Sequence, residues 1–545
     1  MTLAPFPPFQ VVDLFAGPGG LAEGFASVRD DSGGRPFQIA LSIEKDEKAY
    51  RTLRFRAFLR RFGDDYPDQY YAFLNGEMDE PDWAVQYPEQ WKAAETEALL
   101  LELGEDGASE VLQPYLKAIR DRTGGGTIVI GGPPCQAYSI AGRARNKGIA
   151  DYSPEKDKRH FLYREYISIL EQLKPAAFVM ENVKGLLSSS VGGESIFTKV
   201  LTDLGAIGGD VSTYEFFALS SGSDGVARLR LTRKPKEFVI QSEAFGVPQA
   251  RHRIIIVGIR RDLVSPIQDV QSLPAENKVS KVTVRDILGG MPALRSGVSR
   301  LDSIDAWTDA LVRSIKKVID ATANSSNDNH LQVCRRARTL AKRVANGNRP
   351  ILRSSSDIGR ISRDCPDELR KWILDQKLRR SSGHISRGHM ESDLGRYFFA
   401  SVYAEIFGRS PVASEFPTEL APNHKNWDSG IFSDRFRVQV WGNPSTTITS
   451  HLAKDGHYFI HPDPMQCRAL TIREAARLQT FPDNYRFIGN QTEQFVQVGN
   501  AVPPFLARQI GQALYTLLSA TIREPKLKQK DVETQTAKPA REAAE

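Results

Sequence analysis

A short apolar run that ends in glycines and prolines constrains the fold of this chain most strongly. Residues 127–130 (Thr-Ile-Val-Ile) predict a buried parallel strand, and the Gly-Gly-Pro-Pro sequence at 131–134 ends it in a rigid turn. Cys135 follows at once, so it lies just past the carboxyl end of a strand, where open α/β sheets bind ligands. From this stretch alone, Cys135 is either an inert buried thiol or a nucleophile.

Composition narrows the class of protein. The chain has 545 residues, 41% of them hydrophobic and 25% charged, which is typical of a globular protein with two or so domains. It contains no apolar run long enough to span a bilayer, and its amino terminus lacks the features of a signal peptide. The four cysteines lie far apart without a CxxC pair, which argues against a zinc site or a disulfide scaffold and favours the cytoplasm. We therefore expect no metal site and no membrane segment.

Positive charge is concentrated in one part of the chain. Residues 335–387 contain twelve Arg and three Lys against five acidic residues, an excess of ten, whereas the whole chain has a net charge of +6. The remainder is therefore net acidic by four. Such a segment is typical either of a polyanion-binding surface or of a solvated basic face.

The amino-terminal segment predicts a strand, a glycine-rich turn and a helix. The strand covers residues 10–15, the turn 16–20 (Ala-Gly-Pro-Gly-Gly), and the helix begins at 21. Such a unit brings backbone amides close to the charged group of a ligand. The next strand, 37–43, ends at Glu44, which either accepts hydrogen bonds from ribose hydroxyls or is an exposed strand-end acid. A third strand is predicted at 71–77, with Glu77 at its ligand-facing end.

Two later segments place charged side chains at strand ends. The predicted strand 176–180 runs into Glu181, and Arg251 and Arg253 lead into the apolar strand 254–258. Because these arginines alternate along an extended chain, they point to the same face. They either share one anionic or carbonyl target or are solvated at a surface edge. Glu181 is either a functional carboxylate or a strand-end or capping acid.

Taken in order, these motifs resemble those of the DNA (cytosine-5) methyltransferases. The resemblance rests on residues 13–20 (Asp-Leu-Phe-Ala-Gly-Pro-Gly-Gly), 131–136, 181–183 (Glu-Asn-Val), 249–253, 470–482 and 497–504. The Pro-Cys-Gln and Gln-x-Arg-x-Arg motifs are the most specific of the six. The resemblance implies an α/β fold, with a class I S-adenosylmethionine-dependent methyltransferase domain (a Rossmann-like doubly wound sheet) and an inserted smaller target-recognition domain.

The resemblance also implies a domain order. The amino-terminal part of the catalytic, cofactor-binding domain covers 1–263, and the target-recognition domain covers 264–441. The chain then returns to the catalytic domain at 442–523, and a disordered tail follows at 524–545. Within the carboxyl-terminal half, residues 471–480 predict a helix whose Glu474 and Arg477 face solvent or bridge the domains. Residues 505–520 predict a closing helix that packs on the first strand.

Roles follow from the resemblance residue by residue. Cys135 would be the nucleophile, Glu181 and Arg253 would hold the target cytosine, and Arg251 would brace the loop that carries Cys135. The residues expected to bind S-adenosylmethionine are Phe15, Ala16, Gly17, Gly19, Gly20, Glu44, Glu77, Pro133, Leu162, Asn500 and Val502. The residues expected to contact DNA are Arg143, Arg145 and Lys147, in a mobile loop, and Arg349, Arg353, Arg360 and Arg363, in the basic segment. His384, His389 and the aromatic residues 397–399 fit no metal pattern and are assigned to packing.

The implied reaction is methyl transfer from S-adenosylmethionine to C5 of cytosine in a specific duplex DNA sequence. It would use base flipping and a covalent adduct between Cys135 and C6. The alternatives are an RNA (tRNA) cytosine-5 methyltransferase and a catalytically silent DNA-binding relative. The implied setting is restriction-modification or defence in the bacterial cytoplasm. Expected partners are double-stranded DNA and a cognate restriction or defence nuclease, and the expected state is a monomer.

Overall fold

A nine-stranded sheet forms the centre of the first half of the chain. The computed structural model describes residues 8–123, 125–134, 162–191, 194–207, 213–222, 226–264, 281–423, 427 and 434–523. The strands are β1 Phe9–Leu14, β2 Phe37–Glu44, β3 Ala98–Leu100, β4 Thr127–Gly131, β5 Ala177–Val183, β6 Ser190–Val191, β7 Glu194–Ser195, β8 Tyr214–Ser221, β9 Ala227–Leu231, β10 Val239–Gln241, β11 Gln249–Ala250, β12 His252–Arg260, β13 Gly297–Val298, β14 Gly388–His389 and β15 Ser445–Thr446. The large sheet has the order β3-β2-β1-β4-β5-β12-β8-β9, with β10 paired to β12.

Helices cover both faces of this sheet and build the second half of the chain. They are α1 Gly20–Ala26, α2 Glu47–Arg60, α3 Asp68–Leu74, α4 Trp83–Gln86, α5 Pro88–Glu97, α6 Ala108–Thr123, α7 Leu162–Leu173, α8 Ile196–Gly205, α9 Val284–Leu288, α10 Ile304–Ala323, α11 Asp328–Ala345, α12 Asp367–Ile373, α13 Glu391–Phe407, α14 Ile472–Leu478, α15 Gln491–Asn500 and α16 Pro504–Arg523. The predicted doubly wound α/β class is confirmed. Among the described residues, no helix combines the length and apolarity needed to cross a bilayer.

Strand pairing brings the predicted motifs to one edge of the sheet. Strands β1 to β5 run parallel, with Leu14 opposite Gly131 and Gly131 opposite Met180. Strand β12 runs antiparallel to β5, so Arg253 lies opposite Val183. The carboxyl ends of β1, β4 and β5 therefore meet the amino end of β12, which is where an open α/β sheet binds its ligand.

Strand β1 separates two hydrophobic cores because its side chains alternate between the faces of the sheet. Val11 packs in a cluster with residues of α1 and α16, and Val12 packs in a second cluster with residues of α7. The closing helix α16 was predicted to pack on the first strand, and it lies against α1 on that face. A Cβ on Gly24 of α1 would lie 2.4 Å from the Cβ of Ala507. Glycine at this position therefore permits the close approach of the two helices.

The predicted third strand at 71–77 is wrong, because residues 71–74 belong to helix α3 and residues 75–77 follow its end. Tyr70 is fully buried and packs against the rings of Phe55 and Trp83. This aromatic cluster holds the segment in a helix. The third strand of the sheet is instead Ala98–Leu100, which pairs with the end of β2.

The segment after α3 joins the two halves of the chain. Asn75 is 5% exposed; its Nδ2 donates to the Lys377 carbonyl at 3.2 Å, and its Oδ1 accepts from the Arg379 amide at 2.7 Å. Tyr71 donates its hydroxyl to Asp375 at 2.9 Å. The long connection between β2 and β3 therefore carries a docking surface for residues 375–379.

The second half of the chain has two hydrophobic cores. One lies around α10, α11 and α13, with Trp307 at its centre, and it includes Tyr397, Phe398 and Phe399. The other combines two segments, 282–288 and 361–373, with residues from Ile448 to Phe505. Residues 448–505 thus share a core with the segment predicted to recognise the target, and the chain regains the large sheet through α16.

His384 and His389 act in packing, as predicted. His384 is fully buried and contacts the Thr471 hydroxyl and the Pro292 carbonyl at 3.0 and 2.9 Å. Burial lowers the pKa of His389 to about 3, so this ring is neutral. Among the described residues there is no group of ligands suited to a metal ion.

Of the two alternatives predicted for Glu474 and Arg477, the solvent-facing one is wrong. The bridging one agrees with a 2.7 Å hydrogen bond from Arg477 to the carbonyl of Ile358, in the segment predicted to recognise the target. Both side chains are completely buried in α14. Glu474 accepts two hydrogen bonds of 2.7 Å from Arg468, and Arg477 donates to Asp483 at 2.9 and 2.7 Å. The helix is thus anchored by two buried ion pairs.

Candidate active site

A cavity of about 500 Å³ opens at the edge of the sheet where the strand ends meet. It brings together residues that are far apart in the sequence but were predicted to act together. The predicted residues that line it are Phe15, Ala16, Gly17, Glu44, Pro133, Leu162, Glu181, Arg251, Arg253, Asn500 and Val502. One cavity therefore contains both the predicted cofactor-binding and the predicted cytosine-binding residues.

The glycine-rich turn after β1 has a left-handed backbone at the floor of this cavity. Phe15, Gly17 and Gly19 have φ values of 57°, 58° and 98°. For Phe15 this conformation is uncommon and strained, and such strain is typical of ligand-binding turns. A Cβ on Gly20 would lie 2.3 Å from the Val502 carbonyl oxygen. Gly19 and Gly20, which were predicted to bind the cofactor, thus do not line the cavity. They shape the turn whose other residues line it.

Glu44 closes β2 and holds this turn in place. One carboxylate oxygen accepts a hydrogen bond from the Gly17 amide at 2.7 Å, and the other accepts from the Lys45 and Asp46 amides at 2.9 and 2.8 Å. Burial raises the pKa of Glu44, whereas these amide bonds oppose the rise. Because a carboxylate has about four lone-pair sites, Glu44 keeps acceptor capacity towards the cavity.

Asp13 lies directly below the turn and was not given a role from the sequence. It is completely buried, and burial raises the pKa of its carboxyl group to about 8, with Arg60 acting in the opposite direction. Its position in the Asp-Leu-Phe motif was visible in the sequence. Its burial depends on packing that the motif does not reveal.

Glu181 and Arg253 face each other across the β5–β12 pair. The Glu181 Oε1 atom lies 3.0 Å from Arg253 Nε, and the two side chains are 13% and 15% exposed. This contact is not aligned as a hydrogen bond, so Oε1 has no hydrogen-bond partner among the described residues. The pair therefore offers a donor and an unused acceptor side by side at the cavity wall.

Arg251 connects this wall to the late segments of the chain. It is 4% exposed, and its Nη1 donates to the carbonyls of Ile448 and Gly499 at 3.0 and 3.4 Å. Burial, with a smaller contribution from Arg253, lowers the pKa of Arg251 to about 9. Arg251 thus connects the cavity wall to Ile448 and to Gly499 of the last motif. The brace predicted to the Cys135 loop lies outside the described residues.

The segment that leads to Cys135 is fixed at the cavity by Asn182. Its side-chain amide donates to the Pro133 carbonyl at 3.4 Å, and its Oδ1 accepts from the Val183 amide at 2.7 Å. Asn182 belongs to the Glu-Asn-Val motif but was given no role from the sequence. In the structure it holds the Pro133 segment against β5. Cys135 itself, like Arg143, Arg145 and Lys147, lies outside the described residues.

Gly132 leaves room for the Glu181 carboxylate. A Cβ at position 132 would lie 3.1 Å from Glu181 Oε2, which is tighter than an ordinary contact. Gly132→Ala is therefore expected to displace the carboxylate and lower the methyl-transfer rate by on the order of tenfold or more. The measurement is a single-turnover assay on duplex DNA. Gly442→Ala, where a Cβ meets no atom within 4 Å, is the control; equal rates for both variants would refute this role.

The placement of Glu77 near the cofactor is corrected by the structure. Glu77 follows helix α3, outside the cavity lining, and forms an ion pair with Arg379. Because the third strand is Ala98–Leu100, the residues after it, Leu101 and Glu102, line the cavity instead. Strand β3 has only three residues, too few for a strand pattern to show in the sequence, so the position of Leu101 and Glu102 could not be predicted.

The four arginines predicted in the basic segment have different environments. Arg349 donates to the Thr308 hydroxyl at 3.0 Å, and Arg353 donates to Asp302 and to the Ser386 carbonyl at 3.1 and 3.0 Å. Arg360 and Arg363 are exposed. Two of the four are thus engaged within the protein, and two are free to meet a phosphate.

Comparison with known proteins shows the family of this chain. A family profile described as "C-5 cytosine-specific DNA methylase" matches residues 126–516. This chain belongs to that family. It is 30% identical to the type II methyltransferase M.Bpa9945I of Bacillus paralicheniformis, over 93% of this chain and 99% of that protein. It is 28% identical to the type II methyltransferase M.AgeI of Thalassovita gelatinovora, over 72% of this chain and 83% of that protein.

A vertebrate relative matches only in part. DNA (cytosine-5)-methyltransferase 1 of Gallus gallus is 27% identical over 73% of this chain but only 25% of its own length. The family and its bacterial type II members establish this chain as a DNA cytosine-5 methyltransferase, and they do not support the RNA alternative. The cavity at the sheet edge is accordingly its candidate active site.

Proposed function

We propose that the sheet-edge cavity binds S-adenosylmethionine beside a flipped cytosine of duplex DNA, and that Cys135 attacks C6 of that base. The observation that carries this proposal is the shared cavity, in which the glycine-rich turn and the Glu181–Arg253 pair line one space. A base inside a stacked duplex cannot reach such a space, so it has to leave the helix.

The cavity residues fit an adenosyl sulfonium ligand. The left-handed turn at Phe15 and Gly17 opens the floor, and a Cβ on Gly17 would meet no atom within 4 Å. Glu44 would accept hydrogen bonds from the ribose hydroxyls, and Leu162, Asn500 and Val502 would line the walls. S-adenosylmethionine supplies an electrophilic methyl group when it is bound.

The Glu181–Arg253 pair matches the hydrogen-bonding edge of cytosine. Arg253 would donate to the O2 carbonyl, and a protonated Glu181 carboxyl would donate to N3 while its second oxygen accepts from the exocyclic amino group. Thymine presents a carbonyl and an N–H at the corresponding positions, so the pair discriminates against it. The same contacts stabilise the charge that develops on the ring when a thiolate adds to C6.

Cys135 supplies the thiolate in this proposal. Its sulfur forms a bond to C6, the ring electrons move towards N3 and O2, and C5 becomes nucleophilic. After C5 has gained the methyl group, a base removes the C5 proton and the C6–sulfur bond breaks, which returns the thiolate. The pocket holds the ring while these steps occur.

Glu181→Gln tests the role of the carboxyl group. The amide keeps the shape of the side chain but cannot donate a proton to N3, so the methyl-transfer rate should fall by about 10²–10³. S-adenosylmethionine binding, measured by calorimetry, should be unchanged, because Glu181 is not assigned to the cofactor. Glu171→Gln, an exposed site on α7, is the matched control. A Glu181→Gln rate within twofold of wild type would contradict the proposal.

Two measurements test which nucleic acid is methylated and in which sequence the methylated cytosine lies. Methyl incorporation from labelled S-adenosylmethionine is expected in duplex DNA and not in bulk tRNA. Bisulfite sequencing of DNA from expressing cells should then show one recurring sequence context. The basic segment, with exposed Arg360 and Arg363, supports binding to duplex DNA, since phosphate contacts provide affinity and register. Incorporation into tRNA alone would overturn this assignment.

The biological setting remains part of the proposal. The type II relatives support a restriction-modification or defence role, with a cognate nuclease as partner, in the bacterial cytoplasm. We expect a monomer, which size-exclusion chromatography with light scattering would check.

A further inference from the structure

A second cleft, of about 660 Å³, lies between the two halves of the chain, away from the active-site cavity. None of its lining residues lines the cavity. Helices α1 and α2 both start near the cavity and run to the cleft. The cleft is lined by Ser27, which follows α1, and by Arg60, the last residue of α2. From Ala49 to Arg60, α2 rises about 16 Å along its axis, which separates the two spaces. The opposite wall comes from residues 370–376 and from Pro482 and Asn484.

The cleft is lined by more cationic than acidic side chains. The acidic lining residues are Glu23, Asp64 and Asp375, and the cationic ones are Arg29, Arg35, Arg56, Arg60, Arg370 and Lys371. The lining therefore has six cationic and three acidic side chains, and two of the cations also pair with acids just outside it, Arg60 with Glu97 and Arg370 with Asp367. Two of the cations, Arg370 and Lys371, come from the second half of the chain, so the excess is shared by both walls.

The acidic residues do not fully satisfy these cations. Asp64 serves both Arg29 and Arg35, at 2.6 and 2.7 Å, and it is 77% exposed at its side chain. Lys371 is exposed and forms no ion pair among the described residues. The wall thus keeps cationic hydrogen-bond donors that an anion could use.

Two buried arginines of this wall have hydrogen-bond donors without an acceptor. Arg56 is 1% exposed and pairs with Glu23, but its Nη1 has no hydrogen-bond partner within the described structure. The side chain of Arg60 is 9% exposed; it pairs with Glu97 at 2.5 Å, while its Nε and Nη1 also have no hydrogen-bond partner there. Buried donors without an acceptor are uncommon in native structures and are more often found at functional sites.

We propose that this cleft binds a phosphate-bearing anion, which contacts both walls, residues 23–66 on one side and residues 370–376 on the other. Guanidinium groups match phosphate oxygens in pairs, and a lysine adds a point charge. The half-buried ring of Trp372 also lines the cleft, so the phosphates of a nucleotide could be bound with its base beside this ring. The shared chemistry of the ligand is a chain of phosphate groups, either free or carried by a nucleoside.

Calorimetric titration of the full-length protein tests this site. Inorganic pyrophosphate and ATP are the two probes, at low ionic strength and with saturating S-adenosylhomocysteine in the active-site cavity. Wild-type protein should bind at least one probe at a single site. Equal affinity would indicate that only phosphates are recognised, and tighter binding of ATP would indicate that the base is also bound. Binding of neither probe at millimolar concentration would overturn the proposal.

Lys371→Gln and Arg35→Gln, one on each wall, should each weaken binding at least tenfold. Lys371 is exposed and unpaired among the described residues, so its replacement should not affect folding, which a thermal melt would verify. Lys117→Gln, an exposed lysine on α6 outside the cleft, is the matched control and should bind like wild type. Wild-type affinity in both cleft variants would refute the site. Displacement of the probe by a short DNA duplex would show that the cleft belongs to the DNA-binding surface, and would likewise refute it.

Discussion

Cys135→Ser is expected to reduce methyl transfer at least a thousandfold while DNA binding persists. A hydroxyl is a far weaker nucleophile than a thiolate near neutral pH, so the C6 adduct would not form at a useful rate. Loss of a catalytic nucleophile removes most of the rate enhancement of an enzyme that works through a covalent intermediate. The measurements are single-turnover methyl incorporation and a gel-shift or anisotropy titration with the same duplex.

The other cysteines provide the control for this variant. Cys334, Cys365 and Cys467 are all buried, and burial raises the pKa of the Cys365 thiol to about 12, which makes it inert. Cys334→Ala should therefore keep methyl transfer near the wild-type rate. A Cys135→Ser variant with more than a tenth of wild-type activity would show that catalysis does not use a covalent bond to this residue.

The strands that position the active site could be predicted from the sequence because each is a buried apolar run with a clear end. Residues 127–130 and 254–258 are such runs, and both lie in the central sheet as predicted. A carboxyl-end residue such as Glu181 then follows from strand direction alone. Which of these side chains come together depends on the strand register, which the sequence does not show. The antiparallel pairing of β5 with β12 brings Arg253 to Glu181.

The errors arise where local pattern and tertiary packing disagree. Residues 71–77 contain Tyr71 and Phe73 at alternate positions and resemble a strand, yet aromatic packing around Tyr70 places residues 71–74 in helix α3. The true third strand has three residues, too few for a period to show. Glu77 was misplaced as a consequence of this error.

The buried charges of α14 illustrate a second limit. Charged side chains are rarely fully buried unless they are paired, so a helix that contains Glu474 and Arg477 predicts an exposed face. Their partners are partly remote, since Arg477 also donates to the Ile358 carbonyl at 2.7 Å and Arg468 donates to the Leu294 carbonyl at 3.2 Å. Such contacts across more than a hundred residues leave no periodic signal in the helix itself.

Replacing Glu474 with glutamine should strongly destabilise the protein. Arg468 is completely buried and donates to both carboxylate oxygens of Glu474, so the substitution leaves an uncompensated charge in the core. Loss of one partner of a buried pair costs about 3–5 kcal/mol in the free energy of unfolding. Urea denaturation of wild type and variant at pH 7 measures this difference. Glu493→Gln is the matched control, because Glu493 fills the same capping-box position of α15 and forms no ion pair among the described residues.

The pH dependence of this difference checks its electrostatic origin. Arg468 holds the pKa of Glu474 far below its ordinary value of 4.5, although burial opposes the shift. A carboxyl group with a lowered pKa in the folded state stabilises the fold fully above its unfolded pKa, and this contribution is lost as the pH falls towards the folded pKa. The gap between wild type and Glu474→Gln should therefore be constant from pH 8 to about 6 and narrow below about 4.5. A gap that stays constant through the acid range, or one no larger than that of Glu493→Gln, would show that the Arg468–Glu474 pair does not stabilise the folded protein.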